Sequence, residues 1–409
     1  MFELFIACSG WLFNLAADKT VSSPTVRGIF MITIIGAGVA GPLLAYMLHR
    51  QGIAVCILEA DASLDSRHQG GMLNLNEGTG KPALRAAGLY EAAMALVLEG
   101  ADATLMRDKN GHILYQDEGD GSRPEVDRGA LRKLVVEALP EGIIRWNSRV
   151  TSIEPKGTGF HLKLDDGSTH ICDALVGADG AWSKVRPLLT AQKPLYSGIT
   201  FVELRYPNVS QQYPAVKALV DKGSLFALSE GRGIMAHCEP GDEISAYAAI
   251  PVAEAQSRRT FTRDELAEHY RDWGECYREM LVNSEGPLVA RPIYVLPTGE
   301  FWDAEGNVTL IGDAAHVMSP FAGEGVNLAM ADAVDLAHAI ISQPSSLEGA
   351  FKVYQEEMAA RTVRFQQESA ANFAMGFAAD APRELLALFT GLGSQDRACN
   401  PQIISSGCC

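Results

Sequence analysis

The chain has 409 residues, 47% of them hydrophobic and 21% charged, with a formal net charge of −16. That length accommodates two or three packed units of ordinary globular composition. The acidic balance argues against nonspecific binding to nucleic acid or an anionic membrane, because its summed field repels phosphates. The eight cysteines are scattered with no C-x-x-C pair, which argues against a zinc ribbon or thioredoxin motif and fits a reducing cytoplasm.

Residues 1–30 form an N-terminal extension. Its apolar part, 2–17, carries Glu3, lacks a basic leader and is too short to span a bilayer. Met31 stands directly before a strong strand and is read as the functional start; the alternative is a weak export or tethering segment. Residues 32–35 are an apolar strand, followed by Gly36-Ala37-Gly38-Val39-Ala40-Gly41, a helix to about Gln51, and a strand over 53–58 closing on Glu59. Strand, G-x-G-x-x-G, helix, strand and acid in that order form a dinucleotide fingerprint. Gly36 makes the tight turn, Gly38 admits a pyrophosphate to the helix N-terminus, and Gly41 lets helix and strand pack. Glu59 is placed to accept a ribose hydroxyl pair. The motif does not separate NAD from FAD.

The segment 70–80, GGMLNLNEGTG, precedes an expected helix over 82–98 and a hairpin over 101–115 that turns at Lys109-Asn110-Gly111. Asp127 is a good N-cap for a helix over 128–139. Arg128, in its first turn, is by itself as readily a solvated surface arginine. Strands over 149–153 and 160–164 lead to 174–186, ALVGADGAWSKVR, a buried strand ending in Asp179-Gly180. Ser183 reads as a local cap there, and Arg186 as charge near phosphates.

From 196 to 289 the pattern alternates. Antiparallel strands are expected over 200–206, 224–228, 233–237 and 244–250, and a helix over 261–281. This insert is expected to lie over the ligand as a lid or substrate wall, with 291–296 returning to the first unit. An apolar strand over 308–311 then enters 312–327, GDAAHVMSPFAGEGVN. Asp313 at the strand end can accept ligand hydroxyls, the glycines admit a flat ligand, and the following helix start favours negative charge. Residues 345–375 read as a long closing helix, and the tail from 391 as flexible. The nine histidines show no metal-ligand spacing, and G-x-S-x-G is absent.

Together, GAGVAG, GADGAWSKVR and GDAAHVMSPFAGEGVN resemble the three signatures of the single-component FAD-dependent aromatic hydroxylases, the para-hydroxybenzoate hydroxylase class, over residues 31 to about 375. Within that class GGMLNLNEGTG, EVDRGALRKLV and SPFAGEGVN are most similar to the tetracycline-inactivating flavin monooxygenases. The resemblance implies an α/β fold with a discontinuous Rossmann-like FAD-binding domain over 31–89, 116–193 and 288–341. An antiparallel-sheet substrate domain would span 90–115 and 194–287, with a bridging helix over 345–380 and a flexible tail over 391–409.

It also implies roles. Gly36, Gly38 and Gly41 would hold the FAD pyrophosphate, Glu59 the adenosine ribose, and Arg128 the linker region. Gly312 and Asp313 would bind the ribityl or pyrophosphate region, and Asp179 and Gly180 would serve both FAD and NAD(P)H. Pro320, Phe321 and Gly323 would line the ring and substrate side, with Gly325, Val326 and Asn327 at the far edge. Glu203, Ser224 and Met235 would face substrate. The resemblance leaves the general base unassigned; His237, which with Tyr247 could face a ligand but reads more readily as an ordinary sheet residue, is the candidate for it. Ala60 stands where the tetracycline-inactivating enzymes have an arginine. Glu203, Ser224 and Met235 likewise replace a glutamine and substrate-contacting arginine and phenylalanine residues. The implied reaction is NAD(P)H- and O2-dependent hydroxylation of an aromatic or polycyclic enol or phenol through a flavin 4a-hydroperoxide, by a cytoplasmic monomer. A flavin halogenase is disfavoured because W-x-W-x-I-P is absent. A reductase of the same fold and a flavoprotein that binds ligand without turnover are the alternatives.

Overall fold

The computed structural model describes residues 31–66, 71–303 and 305–390. The N-terminal extension, Gly70 and the tail from 391 lie outside the described residues. Among the described residues the largest sheets are a five-stranded parallel one and a seven-stranded mixed one.

The parallel sheet runs Val308–Leu310, Ala174–Gly177, Ile32–Ile35, Val55–Leu58, Ile144–Arg145. Ile32–Ile35 and Ala174–Gly177 are apolar, Ile32–Ile35 but for Thr33, and buried throughout, as expected for strands covered on both faces. The helices Ala40–His49 and Gly325–Ser342 pack together over it. Register aligns Ile35 with Leu58 and with Gly177, and Gly177 with Leu310. Gly36, Glu59, Asp179 and Gly312 therefore emerge at one carboxyl edge of the sheet, where ligands of open α/β sheets bind.

The second sheet runs Glu285–Val295, Leu195–Tyr206, Glu243–Pro251, Arg232–Glu239, Ser224–Ser229, Thr104–Arg107, Ile113–Asp117. Its pairs are antiparallel except Thr104–Arg107 beside Ser224–Ser229. Side chains alternate between two faces. One face packs on Phe261, Leu266, Tyr270, Trp273, Tyr277 and Met280. The other presents Met106, Phe201, Leu228 and Met235 to Phe321, Phe373, Phe377 and Leu385.

Four expectations need correction. The helix over 82–98 is two, Gly80–Ala87 and Tyr90–Met94, because Gly88 turns left-handed at φ +74° and ends the first. The helix over 261–281 is also two, Arg263–His269 and Glu275–Asn283. Between them Gly274 N–H donates to Lys109 O at 2.8 Å, and a Cβ there would lie 2.9 Å from Asn110 O. The return over 291–296 is the end of Glu285–Val295, an edge strand that tolerates Pro287 and Pro292. After the long helix Leu347–Gly376 the chain turns before Pro382 and adds a helix, Arg383–Phe389, that pattern reading missed.

Candidate active site

The glycine loop is shaped by close approach. Gly36 sits at φ +107°, and a Cβ there would lie 2.3 Å from Ala178 O, so the first and second motifs touch at this residue. A Cβ on Gly41 would lie 2.1 Å from Gly36 O, which is the demanded helix–strand packing. Gly38 instead faces open space. The helix Ala40–His49 has no side-chain cap and no acid in its first turn, leaving its N–H groups for an anion. The cradle fits a dinucleotide.

Glu59 is 7% exposed, and its carboxylate accepts from Ala37 N at 2.5 Å and Asp61 N at 2.7 Å, so it also braces the loop it serves. Arg132, missed in the sequence, closes the same loop: 2% exposed, it donates from Nε to Ala37 O at 2.6 Å. Only its helical spacing from Arg128 hinted at it. Arg128 itself is exposed, on a helix whose N-cap Asp127 accepts from Ala130 N at 2.7 Å. Its own N–H donates to Gly71 O at 3.2 Å.

At the second motif Asp179 accepts from Lys184 N at 2.6 Å through Oδ2, while Oδ1 is buried without a partner. Burial raises its pKa against the hydrogen bonds that lower it. Gly180, at φ +77°, faces open space. Ser183 Oγ accepts from the N–H groups of Val185 and Arg186, both at 3.1 Å, as the cap reading expected. Arg186 is not a free charge for phosphates. It is 3% exposed and donates to Ala181 O, Asp313 O and Ala314 O at 2.8–3.0 Å, tying the second motif to the third.

In the third motif Asp313 is exposed and its carboxylate has no hydrogen-bond partner among the described residues. Gly312, at φ +61°, would bring a Cβ within 3.0 Å of Ala329 Cβ. Pro320–Ala322 forms a 3-10 turn held by the long helix: Asn372 Nδ2 donates to Phe321 O at 3.0 Å, and Ser369 Oγ to Ser319 O at 2.7 Å. Phe321 packs against Phe373 and Phe377, ring centroids 5.5 Å away in each case. Gly325 faces open space and Val326 is half-buried. Asn327 is 1% exposed and fully engaged: it donates to Asn74 O and Gly323 O and accepts from Asn76 N. Gly323, at φ +65°, approaches Asn74.

Opposite this turn, Glu203, Tyr247, Met235 and Phe226 register across successive strands, as do Ser224 and His237. Glu203 is 6% exposed and accepts from Arg291 Nε at 2.6 Å. His237 Nε2 lies 3.3 Å from Glu239 Oε1 but is not aligned to hydrogen-bond it. Glu239 in turn accepts from Gly71 N at 3.1 Å. A Cβ on Gly71 would meet both Tyr247 Oη and His237 Nε2, at 3.7 and 3.8 Å. Glu203, Tyr247 and Met235 are thus cross-strand neighbours in the large sheet, and Gly71 stands against Tyr247 and His237. Burial pushes the Tyr247 hydroxyl up, Glu203 adding to this and Arg291 and Arg128 opposing it, so the phenol stays protonated near neutrality. Glu125 was also missed. Burial lifts its carboxyl from 4.5 to about 7, with His237 and Arg123 opposing. Nothing local in the sequence marks it, because its setting is built by chain segments remote from it.

Among the described residues no group of three or more His, Cys, Asp or Glu side chains is placed to hold a metal ion. No described helix is long and apolar enough to cross a membrane.

A family model described as FAD binding domain matches residues 30–368. Monooxygenase asqM of Emericella nidulans is 27% identical over 86% of this chain and 96% of its own. Monooxygenase penA of Penicillium thymicola is 28% identical over 75% of this chain and 84% of its own. The solved structure of tetracycline destructase Tet(51) aligns with a TM-score of 0.70 at 21% identity, covering 93% of this chain and 100% of that one. At that identity the structural likeness speaks for the fold. The fold, the three joined motif loops and the family match agree, and the chain belongs to the FAD-binding-domain family as a flavin-dependent monooxygenase.

Proposed function

We propose that this chain is an NAD(P)H-consuming monooxygenase that hydroxylates an aromatic or polycyclic enol or phenol. The parallel-sheet unit would hold FAD and the large-sheet unit the substrate. The observation that carries the reading is the aromatic face of the large sheet, with the polar group Glu203, Arg291, Tyr247 and His237 set into it beside the Pro320–Ala322 turn. Bound FAD, reduced by NADPH or NADH, would supply the transfer of one oxygen atom from O2.

The chain's own part is positional. Gly36, Gly38, Gly41 and the helix start behind them receive the pyrophosphate, Glu59 a ribose, Arg128 the linker, and Asp313 a chain hydroxyl. Asp179 and Gly180 border the cofactor and the reductant. Pro320, Phe321 and Gly323 lie between ring and substrate, and the N–H groups of Gly325, Val326 and Asn327 favour negative charge at the ring edge. Tyr247, protonated, donates to a substrate oxygen. His237 Nε2, buried and 3.3 Å from Glu239 Oε1, takes the substrate proton. Met235 and Ser224 shape the remaining wall. The helices Leu347–Gly376 and Arg383–Phe389 exclude water, with Phe389 against Tyr115 and Phe226. The free thiols Cys56, Cys172, Cys238 and Cys276 support a reducing cytoplasm, and we take the chain to act as a monomer.

The test is a panel of tetracyclines and simple phenols, scored by stimulated NADPH oxidation and by product mass under labelled O2. Yellow protein, stimulation by at least one class and one labelled oxygen in product are expected. Colourless protein that cannot be reconstituted with FAD overturns the reading. Turnover without label would make it a reductase, and tight binding without NADPH oxidation a ligand-binding flavoprotein.

A further inference from the structure

Beneath the third motif lies a buried charged cluster that the reading above does not use. Asp332, on the helix Gly325–Ser342, is 0% exposed, as is His316. Asp332 Oδ2 accepts from Gly312 N at 2.8 Å and contacts His316 Nε2 at 2.7 Å. Its Oδ1 accepts from Arg361 Nη2, on the long helix, at 2.7 Å, and Arg361 also bonds Asp335. Gly312 precedes and His316 ends the one-turn helix that presents Asp313. A buried carboxylate with three donors is satisfied only while all three hold their places.

We propose that Asp332, His316 and Arg361 are positioning residues that set FAD affinity by fixing the backbone turn beneath Asp313. The inference rests on the reading that Asp313 holds the cofactor. Gly312 holds φ +61° and ψ −142°, a conformation open to glycine, and Asp332 is the acceptor that fixes its N–H. His316 Nδ1 is buried without a partner, so the ring is held from Nε2 alone. Arg361 makes the same carboxylate answer to the long helix. The charged groups facing His316 are Asp332 from the next helix, Arg361 from the long helix and Asp313 from its own turn. Burial opposes its protonation, but the two carboxylates prevail and raise its pKa from 6.5.

The experiment measures the FAD dissociation constant by flavin fluorescence in apoprotein reconstituted with FAD, across pH, for native chain, Asp332→Asn, His316→Gln, Arg361→Met, Asp313→Asn and the double variant Asp313→Asn/Asp332→Asn. Expected are losses of about ten- to a hundred-fold for Asp332→Asn, from one charge-assisted bond. Smaller losses are expected for His316→Gln and Arg361→Met. Native affinity is expected to fall as pH rises through the elevated His316 value, a step His316→Gln lacks. In the Asp313→Asn background the Asp332 substitution should add little, since both act through one turn. Additive losses, or unchanged affinity in folded Asp332→Asn and Arg361→Met, overturn the proposal and leave the role of Asp313 standing. Unchanged affinity in Asp313→Asn instead overturns the reading beneath it. If Asp332→Asn does not fold, Arg361→Met and the native pH profile decide.

Discussion

Asp313 and Glu59 both stand at strand ends, yet one carboxylate is exposed without a hydrogen-bond partner among the described residues and the other is buried under two backbone N–H groups. Asp313→Ala is therefore expected to lower FAD occupancy while leaving the circular dichroism spectrum and apoprotein melting unchanged; retained stoichiometric flavin would remove its assigned role. Gly36→Ala is expected to act on the fold instead, since its Cβ would meet Ala178 backbone in a φ that alanine resists. We expect a loss of about 2–4 kcal/mol in denaturant unfolding. Glu125 sets a pH dependence. Its folded value of about 7 lies above its ordinary 4.5, so the folded chain keeps a proton that the unfolded chain releases, and stability falls as pH rises across that window. Melting of Glu125→Gln should decline less over the same range. The glycine spacings were legible at this scale because a backbone conformation and a close contact leave a residue type behind. Arg132 and Glu125 were not, because what they meet comes from Ala37 in one case and from the region of His237 in the other.

Elements were legible where one rule decided them. The strands expected over 224–228, 233–237 and 244–250 lie within Ser224–Ser229, Arg232–Glu239 and Glu243–Pro251, and the cap at Asp127 precedes its helix as expected. Asp127→Ala is predicted to cost about 1 kcal/mol, read as a lower denaturation midpoint. The two helices drawn too long share a cause. Apolar periodicity continues across Gly88 and across 270–274, but a left-handed glycine ends one run and a contact with the 109–110 turn breaks the other. Periodicity records which face is buried, and it does not record where the chain changes direction.

At the scale of the molecule, the long helix joins the third motif to the aromatic face of the large sheet. It reaches the third motif through Arg361, and the Pro320–Ala322 turn through Ser369 and Asn372. Its existence was legible; its partners were not, since they lie remote in the sequence. The order of strands has a further consequence. Ala174–Gly177 sits between Ile32–Ile35 and Val308–Leu310, and Thr104–Arg107 is hydrogen-bonded to Ser224–Ser229. Neither unit can close its sheet from a contiguous stretch of chain, so during synthesis both wait on later segments: the large sheet for its edge Glu285–Val295, the parallel sheet for Val308–Leu310. Until then the growing chain exposes two open sheet edges at once, the period in which pairing with a neighbouring chain competes with folding.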